Sequence, residues 1–296
     1  MILDDESDCA LLNRWIDYAV ECNVKELNLN IWIDHMTYEL PKKYYELPKR
    51  VLLAKSITEL KLSQCKLKSF YSDINLPSLK KLVLDTIMGN KVVQTLIDGC
   101  RDLEEMIFNC CYGLKSIQVS SLPKLMVIEL LQNFELESVE IEASNLESLV
   151  FKLRRPCKIK LGQCENLKKL LLYSCSINDK WLHDVLSKHP LINCLDLRDC
   201  DMLKRIKISS HHMKSLAFIG CSELVEVDIV TPNLHRLEYD GDVISFSLNT
   251  SSISEVSLAF EDDDSSDVEK IEFLANLSHP KVLNWGTFDA EVRIPA

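Results

Sequence analysis

Twelve cysteines and seven histidines are the residues of this 296-residue sequence that could bind a metal ion or act as nucleophiles. A zinc site needs several Cys or His side chains that converge on one point, commonly as close pairs such as Cys-x-x-Cys. The sequence holds two adjacent pairs, Cys110-Cys111 and His211-His212, but no Cys-x-x-Cys spacing. We therefore predict no metal site, and no other pattern indicates a cofactor.

Motifs of known catalytic sites are also missing. The sequence contains no Gly-rich phosphate loop, no Gly-x-Ser-x-Gly nucleophile turn and no His-Glu-x-x-His helix. His183 and His189 fall on a predicted helix, where we expect surface residues rather than a catalytic pair. The acidic run 261–267 lacks the turn glycine of an EF-hand loop and is predicted to be a solvated loop. We predict that the chain is not an enzyme.

Charge and hydropathy narrow the remaining functions. Lys plus Arg number 34 and Asp plus Glu 45, which gives a formal charge of −11. Nucleic-acid binding relies on Lys and Arg that neutralise phosphates, so we expect no nucleic-acid partner. No run approaches the ~18 apolar residues of a membrane helix, and Asp4-Asp5-Glu6 stands where a signal peptide would be basic. We predict no membrane association, a cytoplasmic or nuclear location and free thiols.

Five of the cysteines belong instead to a recurring pattern, Leu-x-x-Leu-x-Leu-x-x-Cys. Its Leu-x-Leu centres begin at Leu27, Leu60, Leu82, Met106, Ile128, Leu149, Leu170, Leu195, Leu216, Leu237 and Val256. From Leu60 onward successive centres are 19 to 25 residues apart, which is the period of a leucine-rich repeat. The alternation places both apolar residues on one face of a strand, and stacked copies bury that face in a common core. We predict an α/β leucine-rich-repeat solenoid with a parallel sheet on its concave side.

The recurring cysteine follows the second apolar residue of a main strand by three positions. These residues are Cys65, Cys111, Cys175, Cys200 and Cys221, and Asn133 takes the same position after Leu130. A small side chain at this point would turn inward and cap backbone groups where the chain leaves the strand. We therefore predict a structural role for these five cysteines and for Asn133.

A second alternation lies about ten residues after most main strands. Examples are 117–119, 139–141, 159–161, 206–208 and 227–229. It predicts short strands on the convex side of the solenoid. The two longest coils carry helical patterns instead, at 90–100 and 179–189, and a helix at 12–22 is predicted to flank the first strand. The convex side should thus be mostly strand-like, with two or three helices.

Residues that flank the two core positions of a main strand should point to the concave surface, which is the expected partner-binding site. Apolar residues recur there and predict an exposed apolar stripe with charged neighbours. The predicted partner-binding residues are Val83, Ile107, Leu131, Val150, Leu171, Tyr173, Arg198 and Ile219. The alternative interpretation is that β-branched residues occur there because they favour strands.

Residues 13–27, which include Trp15, Ala19 and Asn23, resemble the stretch that opens the repeat region of plant F-box/LRR-repeat proteins. Residues 52–67 resemble the next element of that family, and 273–283 are similar to the start of its C-terminal region, which is often an FBD module. The resemblance implies an RNI-like horseshoe. It also implies the substrate-recognition half of an SCF-type ubiquitin-ligase receptor, which would bind a protein substrate on the concave face.

The expected domain organisation follows from the repeat and the resemblance. Residues 1–23 should form an N-terminal flanking helix, 24–260 a solenoid of about eleven coils, and 261–296 an acidic loop and the start of a truncated C-terminal FBD-like region. Family members begin with an F-box that binds a Skp-type adaptor. Because the predicted Trp15 helix begins so near Met1, we expect no F-box here and no Skp-type adaptor as a partner.

The predicted function is a protein-interaction module whose substrate the sequence does not identify. Two alternatives remain open at this point. One is a sensor in which a small molecule completes the partner site, and the other is a vestigial structural fragment without a partner.

Overall fold

The computed structural model describes residues 6–31, 44–68, 74–89, 91–153, 155–260, 273–275, 277 and 280–286. The chain divides into two compact units, residues 1–166 (unit 1) and 167–296 (unit 2). Each unit has parallel main strands. We call the face of these strands that points away from the core concave, and the wall on the other side of the core convex. None of the helices within the described ranges is long and apolar enough to cross a membrane.

Unit 1 alternates main strands with shorter elements of the convex wall. Its helices are α1 (Glu6–Glu21), a 3-10 helix (Lys49–Leu53) and α2 (Lys91–Asp98). Its strands are β1 (Glu26–Asn30), β2 (Tyr45–Glu46), β3 (Glu59–Ser63), β4 (Cys65–Lys66), β5 (Lys81–Asp85), β6 (Glu105–Asn109), β7 (Ser116–Val119), β8 (Val127–Leu131), β9 (Ser138–Ile141), β10 (Ser148–Lys152) and β11 (Lys158–Leu161). The main strands β1, β3, β5, β6, β8 and β10 lie in that order, and β7, β9 and β11 form the convex sheet.

Equivalent repeat positions lie side by side in the main sheet of unit 1. Leu60 pairs with Leu82, and Met106 pairs with Ile128. The first core row is Leu27, Leu60, Leu82, Met106, Ile128 and Leu149, and the second is Leu29, Leu62, Leu84, Phe108, Leu130 and Phe151. All twelve side chains are buried. The predicted stacking of repeat leucines in successive parallel strands is confirmed in this unit.

Unit 2 has the same organisation in its described residues, with the helix α3 on its convex side. Its elements are β12 (Lys169–Tyr173), α3 (Asp179–Lys188), β13 (Cys194–Arg198), β14 (Arg205–Ser209), β15 (Ser215–Ile219), β16 (Glu226–Val230), β17 (Arg236–Gly241), β18 (Ser245–Asn249), β19 (Glu255–Phe260) and β20 (Val282–Trp285). The main strands are β12, β13, β15, β17, β19 and β20, and β14, β16 and β18 form the convex sheet.

The core of unit 2 follows the same register. Its first row is Leu170, Leu195, Leu216, Leu237 and Val256, and its second is Leu172, Leu197, Phe218, Tyr239 and Leu258. All ten side chains are buried. The strand β20 adds Leu283 opposite Val256, although the repeat pattern alone did not predict a strand there. Unlike the rest of its row, Leu283 is 49% exposed.

Most main strands are followed directly by a residue with left-handed backbone geometry. These residues are Gln64, Thr86, Cys110 and Gln132 in unit 1 and Ser174, Asp199 and Gly220 in unit 2, with φ between 50° and 62°. Their N–H groups continue the hydrogen-bond ladder: Thr86 donates to the carbonyl of Asn109 at 2.8 Å, and Asp199 to that of Ile219 at 2.9 Å. The turn directs the next residue toward the core, and this residue is the repeat Cys or Asn except after Thr86, where it is Ile87.

The predicted convex elements are confirmed. Strands occupy the second alternation in both units, and helices replace them in the two long coils, at Lys91–Asp98 and Asp179–Lys188. Asn178 caps α3, because its side-chain oxygen accepts the Trp181 N–H at 2.9 Å. The flanking helix starts earlier than predicted, at Glu6. The predicted acidic loop at 261–267 lies outside the described residues.

Candidate functional site

The concave face of unit 1 carries an apolar patch in its middle strands. Val83 and Ile107 are direct neighbours on β5 and β6, and Leu131 lies beside Asn109 on the next strand. All three apolar side chains are partly exposed. We call Val83, Ile107 and Leu131 the unit 1 patch. A surface of this kind can bury apolar area against a partner without first unfolding.

Hydrogen bonds fix the polar side chains beside the unit 1 patch. Asp85 accepts hydrogen bonds from Asn109 Nδ2 at 2.7 Å, from Ser63 Oγ at 3.3 Å and from its neighbour Thr86 Oγ1 at 3.3 Å. These side chains stand at the carboxyl ends of β3, β5 and β6. Because each restrains the next, a partner would meet a polar edge that is already ordered.

Charged side chains border the unit 1 patch on its other side. Lys81 forms an ion pair with Glu105, with Nζ and Oε2 2.5 Å apart. Glu129 lies beside Ile107 in the sheet and is partly buried. Burial raises the pKa of the Glu129 carboxyl above its usual range, although the charge of Lys81 opposes the effect. The face of unit 1 therefore combines apolar contact area with a carboxyl group whose pKa is raised by burial.

In unit 2 an ion-pair network occupies the corresponding face. Arg198 donates two hydrogen bonds to Asp196, from Nε to Oδ1 and from Nη2 to Oδ2, both 2.9 Å long. The Tyr173 hydroxyl donates to Asp196 Oδ2 at 3.2 Å, and the guanidinium lies 5.4 Å from the centre of the Tyr173 ring. Burial alone would lower the pKa of Arg198, but the hydrogen bonds and charge of Asp196 raise it. Burial raises the pKa of Tyr173 as well.

The network continues across the next main strands. Arg198 Nη2 lies 3.8 Å from Glu238 Oε2, and Arg236 Nη2 lies 2.5 Å from Glu238 Oε1 and 4.0 Å from Glu255 Oε1. The side chains of Asp196, Arg198 and Glu238 are only 10–16% exposed. We call Tyr173, Asp196, Arg198, Glu238 and Arg236 the unit 2 network. Low exposure and paired charges make it a rigid, preorganised surface.

The exposed apolar stripe predicted from the sequence is wrong at three positions. Val150, Leu171 and Tyr173 are 3%, 2% and 3% exposed. Tyr173 is covered because Arg198 folds over its ring while its hydroxyl binds Asp196. Ile219 and Arg198 are partly exposed, as is the unit 1 patch. Whether any of these eight residues contacts a partner stays a prediction.

Sequence reasoning also missed part of the unit 2 network. Arg236 and Glu255 precede the first core residue of β17 and β19, and residues two apart in a strand share a face. The predicted concave residues all lie between the two core residues or directly after the second one, and none lies directly before the first. The alternation itself could have identified Arg236 as a concave residue.

The repeat cysteines and Asn133 bind backbone groups at the turn after the main strands. Cys200 Sγ donates to the Leu172 carbonyl at 3.5 Å. Asn133 Nδ2 donates to the Phe108 carbonyl at 2.9 Å, and its Oδ1 accepts the Cys111 N–H at 2.9 Å. The thiols of Cys65, Cys111, Cys175 and Cys221 also lie within hydrogen-bond distance of carbonyl groups. Their burial is complete or nearly so.

Burial governs the chemistry of Cys65 and Cys111. It raises the pKa of both Cys65 and Cys111 to about 12. Since the thiolate is the reactive form, such cysteines are poor nucleophiles and metal ligands at neutral pH. Across the described ranges, no three His, Cys, Asp or Glu residues come together in a way that could hold a metal ion.

Comparison with known proteins places the repeat in a family. Residues 1–164 and 155–274 match the family described as At1g61320/AtMIF1, LRR domain. The chain is 22% identical over 214 residues to the F-box/LRR-repeat protein At3g03360 of Arabidopsis thaliana, which covers 70% of this chain. It is 30% identical to the putative F-box protein At3g44060 of Arabidopsis thaliana over 118 residues, which are 39% of this chain. It is 26% identical to the putative F-box/LRR-repeat protein At3g44810 of the same organism over 159 residues, which are 51% of this chain.

The matched regions are a minor part of those relatives. They cover 42%, 26% and 34% of the three Arabidopsis proteins, so the chain spans less than half the length of each.

Proposed function

The chain belongs to the At1g61320/AtMIF1 family of leucine-rich-repeat domains within the plant F-box/LRR-repeat proteins, and we propose that its concave faces bind a protein substrate. A leucine-rich repeat with F-box/LRR relatives is a protein-interaction module. The finer proposal is that this module presents its bound substrate to a ubiquitin ligase. Its support is the word F-box in the names of all three relatives.

The unit 1 patch is the observation that carries the proposal. Val83, Ile107 and Leu131 are apolar, partly exposed and contiguous with polar side chains whose hydrogen bonds are already made. Apolar centres with ordered polar rims are typical of protein interfaces. We expect the strongest contacts of the substrate at Ile107, which stands between Val83 and Glu129 in the sheet.

The unit 2 network contributes a different surface to the proposal. Arg198 and Ile219 are partly exposed and lie on adjacent positions of β13 and β15. Arginine is a frequent anchor residue in interfaces. Since Asp196 already holds the guanidinium, a substrate would meet Arg198 in a fixed orientation and lose little entropy on binding it.

Replacement of the unit 1 patch tests the proposal. In the double variant Ile107→Glu/Leu131→Glu, two carboxylates would have to be desolvated by any bound protein. Proteins captured from plant extract by the wild-type chain should be purified and their affinity for wild type and variant measured by titration calorimetry. We expect a loss of at least about 2 kcal/mol, which is the range of interface hot spots.

A matched control is Met126→Glu, an exposed apolar residue of the same unit that lies outside the concave positions. It should leave the affinity unchanged. Equal binding of the purified substrate by wild type and the double variant would contradict the proposed site. If the wild-type chain captures no protein whose binding depends on Ile107 and Leu131, the proposed substrate-binding function itself is contradicted. The vestigial alternative would then be favoured.

The ubiquitin-ligase part of the proposal has its own test. A captured substrate should become ubiquitinated when the chain is fused to an F-box and supplied with a Skp-type adaptor and a cullin ligase. The expectation that the chain itself does not bind a Skp-type adaptor stays a prediction, and co-purification of the two proteins would refute it.

A further inference from the structure

A cavity of about 570 Å³ opens on the convex side of unit 2, between α3 and the strands β14 and β16. Four of the seven histidines of the chain line it, namely His183, His189, His211 and His212. Lys207 and Asp228 complete its titratable lining. The volume falls within the range of small-molecule pockets, roughly 300–1,000 Å³. This cavity is separate from the concave residues named above.

The change from helix to strand explains why a cavity forms here. The coil of α3 has a helix on its convex wall, whereas the next coil has the strand β14. A helix with its side chains is about 10 Å across, whereas neighbouring strands lie about 5 Å apart, so the wall steps inward where the two meet. The turn at His189 and Pro190 closes one end of this step.

The base of the cavity is apolar and its rim is polar. Ile192, Ile208 and Met213 line the base and are almost fully buried. His183, His211 and His212 are exposed at the rim, whereas His189 is 3% exposed. The expectation that His189 is a surface residue is therefore wrong, because it caps the end of α3 and faces inward. Such a base suits the apolar body of a ligand and such a rim suits its polar group.

Histidines provide most of the titratable groups in the cavity lining. Lys207 Nζ lies 4.0 Å from Asp228 Oδ2, so these two formal charges offset each other. The remaining titratable groups are the four imidazoles. Histidine is the side chain that ordinarily gains its proton between about pH 5 and 8. Apart from Asp228, no carboxylate of the described residues lines this cavity, and Asp179, Lys180 and Arg205 lie beside His183 in the neighbouring cleft.

We propose that this cavity binds a small organic anion, with an apolar body against Ile192, Ile208 and Met213 and its anionic group against the histidine rim. A metal ion is the other ligand that histidines suggest. It is disfavoured because no three His, Cys, Asp or Glu side chains converge anywhere in the described part of the chain. Binding of the anion should strengthen as the histidines become protonated.

The probe for this proposal is 2-naphthoate, with 2-naphthylmethanol as its neutral counterpart of similar shape. Their affinities for the whole chain should be measured by saturation-transfer difference NMR at about pH 6 and about pH 8. We expect naphthoate to bind about tenfold more tightly at the lower pH, because an imidazole changes from largely protonated to neutral over this interval. The neutral alcohol should bind equally at both.

The triple variant His183→Gln/His211→Gln/His212→Gln removes the exposed imidazoles and leaves the buried His189 in place. It should lose most of the pH dependence of naphthoate binding while its melting temperature stays near that of wild type. His235→Gln is the matched control, since His235 is an exposed histidine of unit 2 outside the cavity and its Nδ1 lies 3.0 Å from the Ser252 carbonyl oxygen.

Three results would overturn the proposal. They are no binding of naphthoate at millimolar concentration, equal affinity at both pH values, and a triple variant with the pH dependence of wild type.

Discussion

The concave faces of the two units show how one repeat supports two kinds of surface. In unit 1 the position between the core residues holds Val83 and Ile107, which stay partly exposed, although Val150 at the same position of β10 is buried. In unit 2 the same position holds Leu171 and Asp196, which are buried. The core rows beneath are equivalent in both units. The difference shows that the repeat fixes the register of the strands but leaves the character of the face to individual residues.

The two surfaces should therefore respond differently to substitution. The unit 2 network is part of the folded structure, and its loss should lower stability. The unit 1 patch contributes little to folding, and its loss should be felt mainly in binding. Stability measurements on matched positions of the two faces can test this distinction.

Asp196→Ala should have the largest effect on stability. It removes both hydrogen bonds of Arg198 to Asp196 and the acceptor of the Tyr173 hydroxyl. The largely buried guanidinium then keeps only the more distant carboxylate of Glu238, at 3.8 Å. Removing one member of a buried ion pair commonly costs 3–5 kcal/mol, so we expect the free energy of unfolding to fall by about 3 kcal/mol. Chemical denaturation followed by circular dichroism measures the change.

The matched change in unit 1 is Glu59→Ala. Glu59 pairs with Lys61 at 2.6 Å, but the Lys61 side chain is 41% exposed. Water screens such a pair, so the loss should be within about 0.5 kcal/mol. Equal losses for Asp196→Ala and Glu59→Ala would mean that the unit 2 network adds no more to stability than an ordinary surface pair.

Leu171→Ala and Ile107→Ala form the second comparison, at equivalent positions of the two faces. Leu171 is 2% exposed, so its truncation should lower the free energy of unfolding by about 2 kcal/mol. Ile107 is partly exposed and should lose about 1 kcal/mol or less, because solvent already reaches part of its side chain. Thermal and denaturant unfolding of both variants measure the difference. Similar losses would place Ile107 with the folded core and weaken its assignment to a binding surface.

The sequence predicts the buried core better than it predicts the faces. Leu60 stacks on Leu82 because period-two alternation chooses the face and the nearly constant coil length chooses the register. No such rule governs Tyr173. Its burial depends on Arg198 of the neighbouring strand, and a long side chain can lie across the sheet or extend into solvent.

Prediction from the sequence has the same limit for the histidine-lined cavity on the convex side of unit 2. The helical pattern of α3 and its Asn178 cap could be predicted from local residues alone. The grouping of His183 with His211 and His212 could not, since it depends on how the helix meets the strand of the next coil. A repeat pattern describes the residues of a single coil, so it does not predict a cluster of side chains contributed by neighbouring coils.

The turns that end the main strands give the third comparison. Gly220 in unit 2 has φ 62°, and a Cβ there would lie 2.7 Å from Asp199 Oδ1. Gly220→Ala should therefore lower the free energy of unfolding by about 1 kcal/mol. In unit 1 the same turn contains Thr86 at φ 52°, which is unfavourable for a β-branched residue. Thr86→Asn should raise it by about 0.5 kcal/mol, since Asn tolerates this conformation better. We expect denaturant unfolding to show changes of opposite sign in the free energy of unfolding of the two variants. Changes of the same sign would contradict this role of the left-handed turn residue.

Glu129→Gln should have the smallest effect, and the effect should depend on pH. Burial raises the pKa of Glu129 in the folded chain, so the folded state holds this proton more tightly than the unfolded state. The stabilisation is therefore fully present below the ordinary pKa of glutamate and is lost as the pH rises through the raised value. Glutamine cannot ionise, so the variant should gain stability relative to wild type as the pH increases and then level off. Denaturant unfolding from about pH 4 to pH 8 measures the difference between the two proteins. A difference that stays constant over this range would mean that Glu129 is as well solvated as a surface carboxylate, and the face of unit 1 would then be more open than its burial indicates.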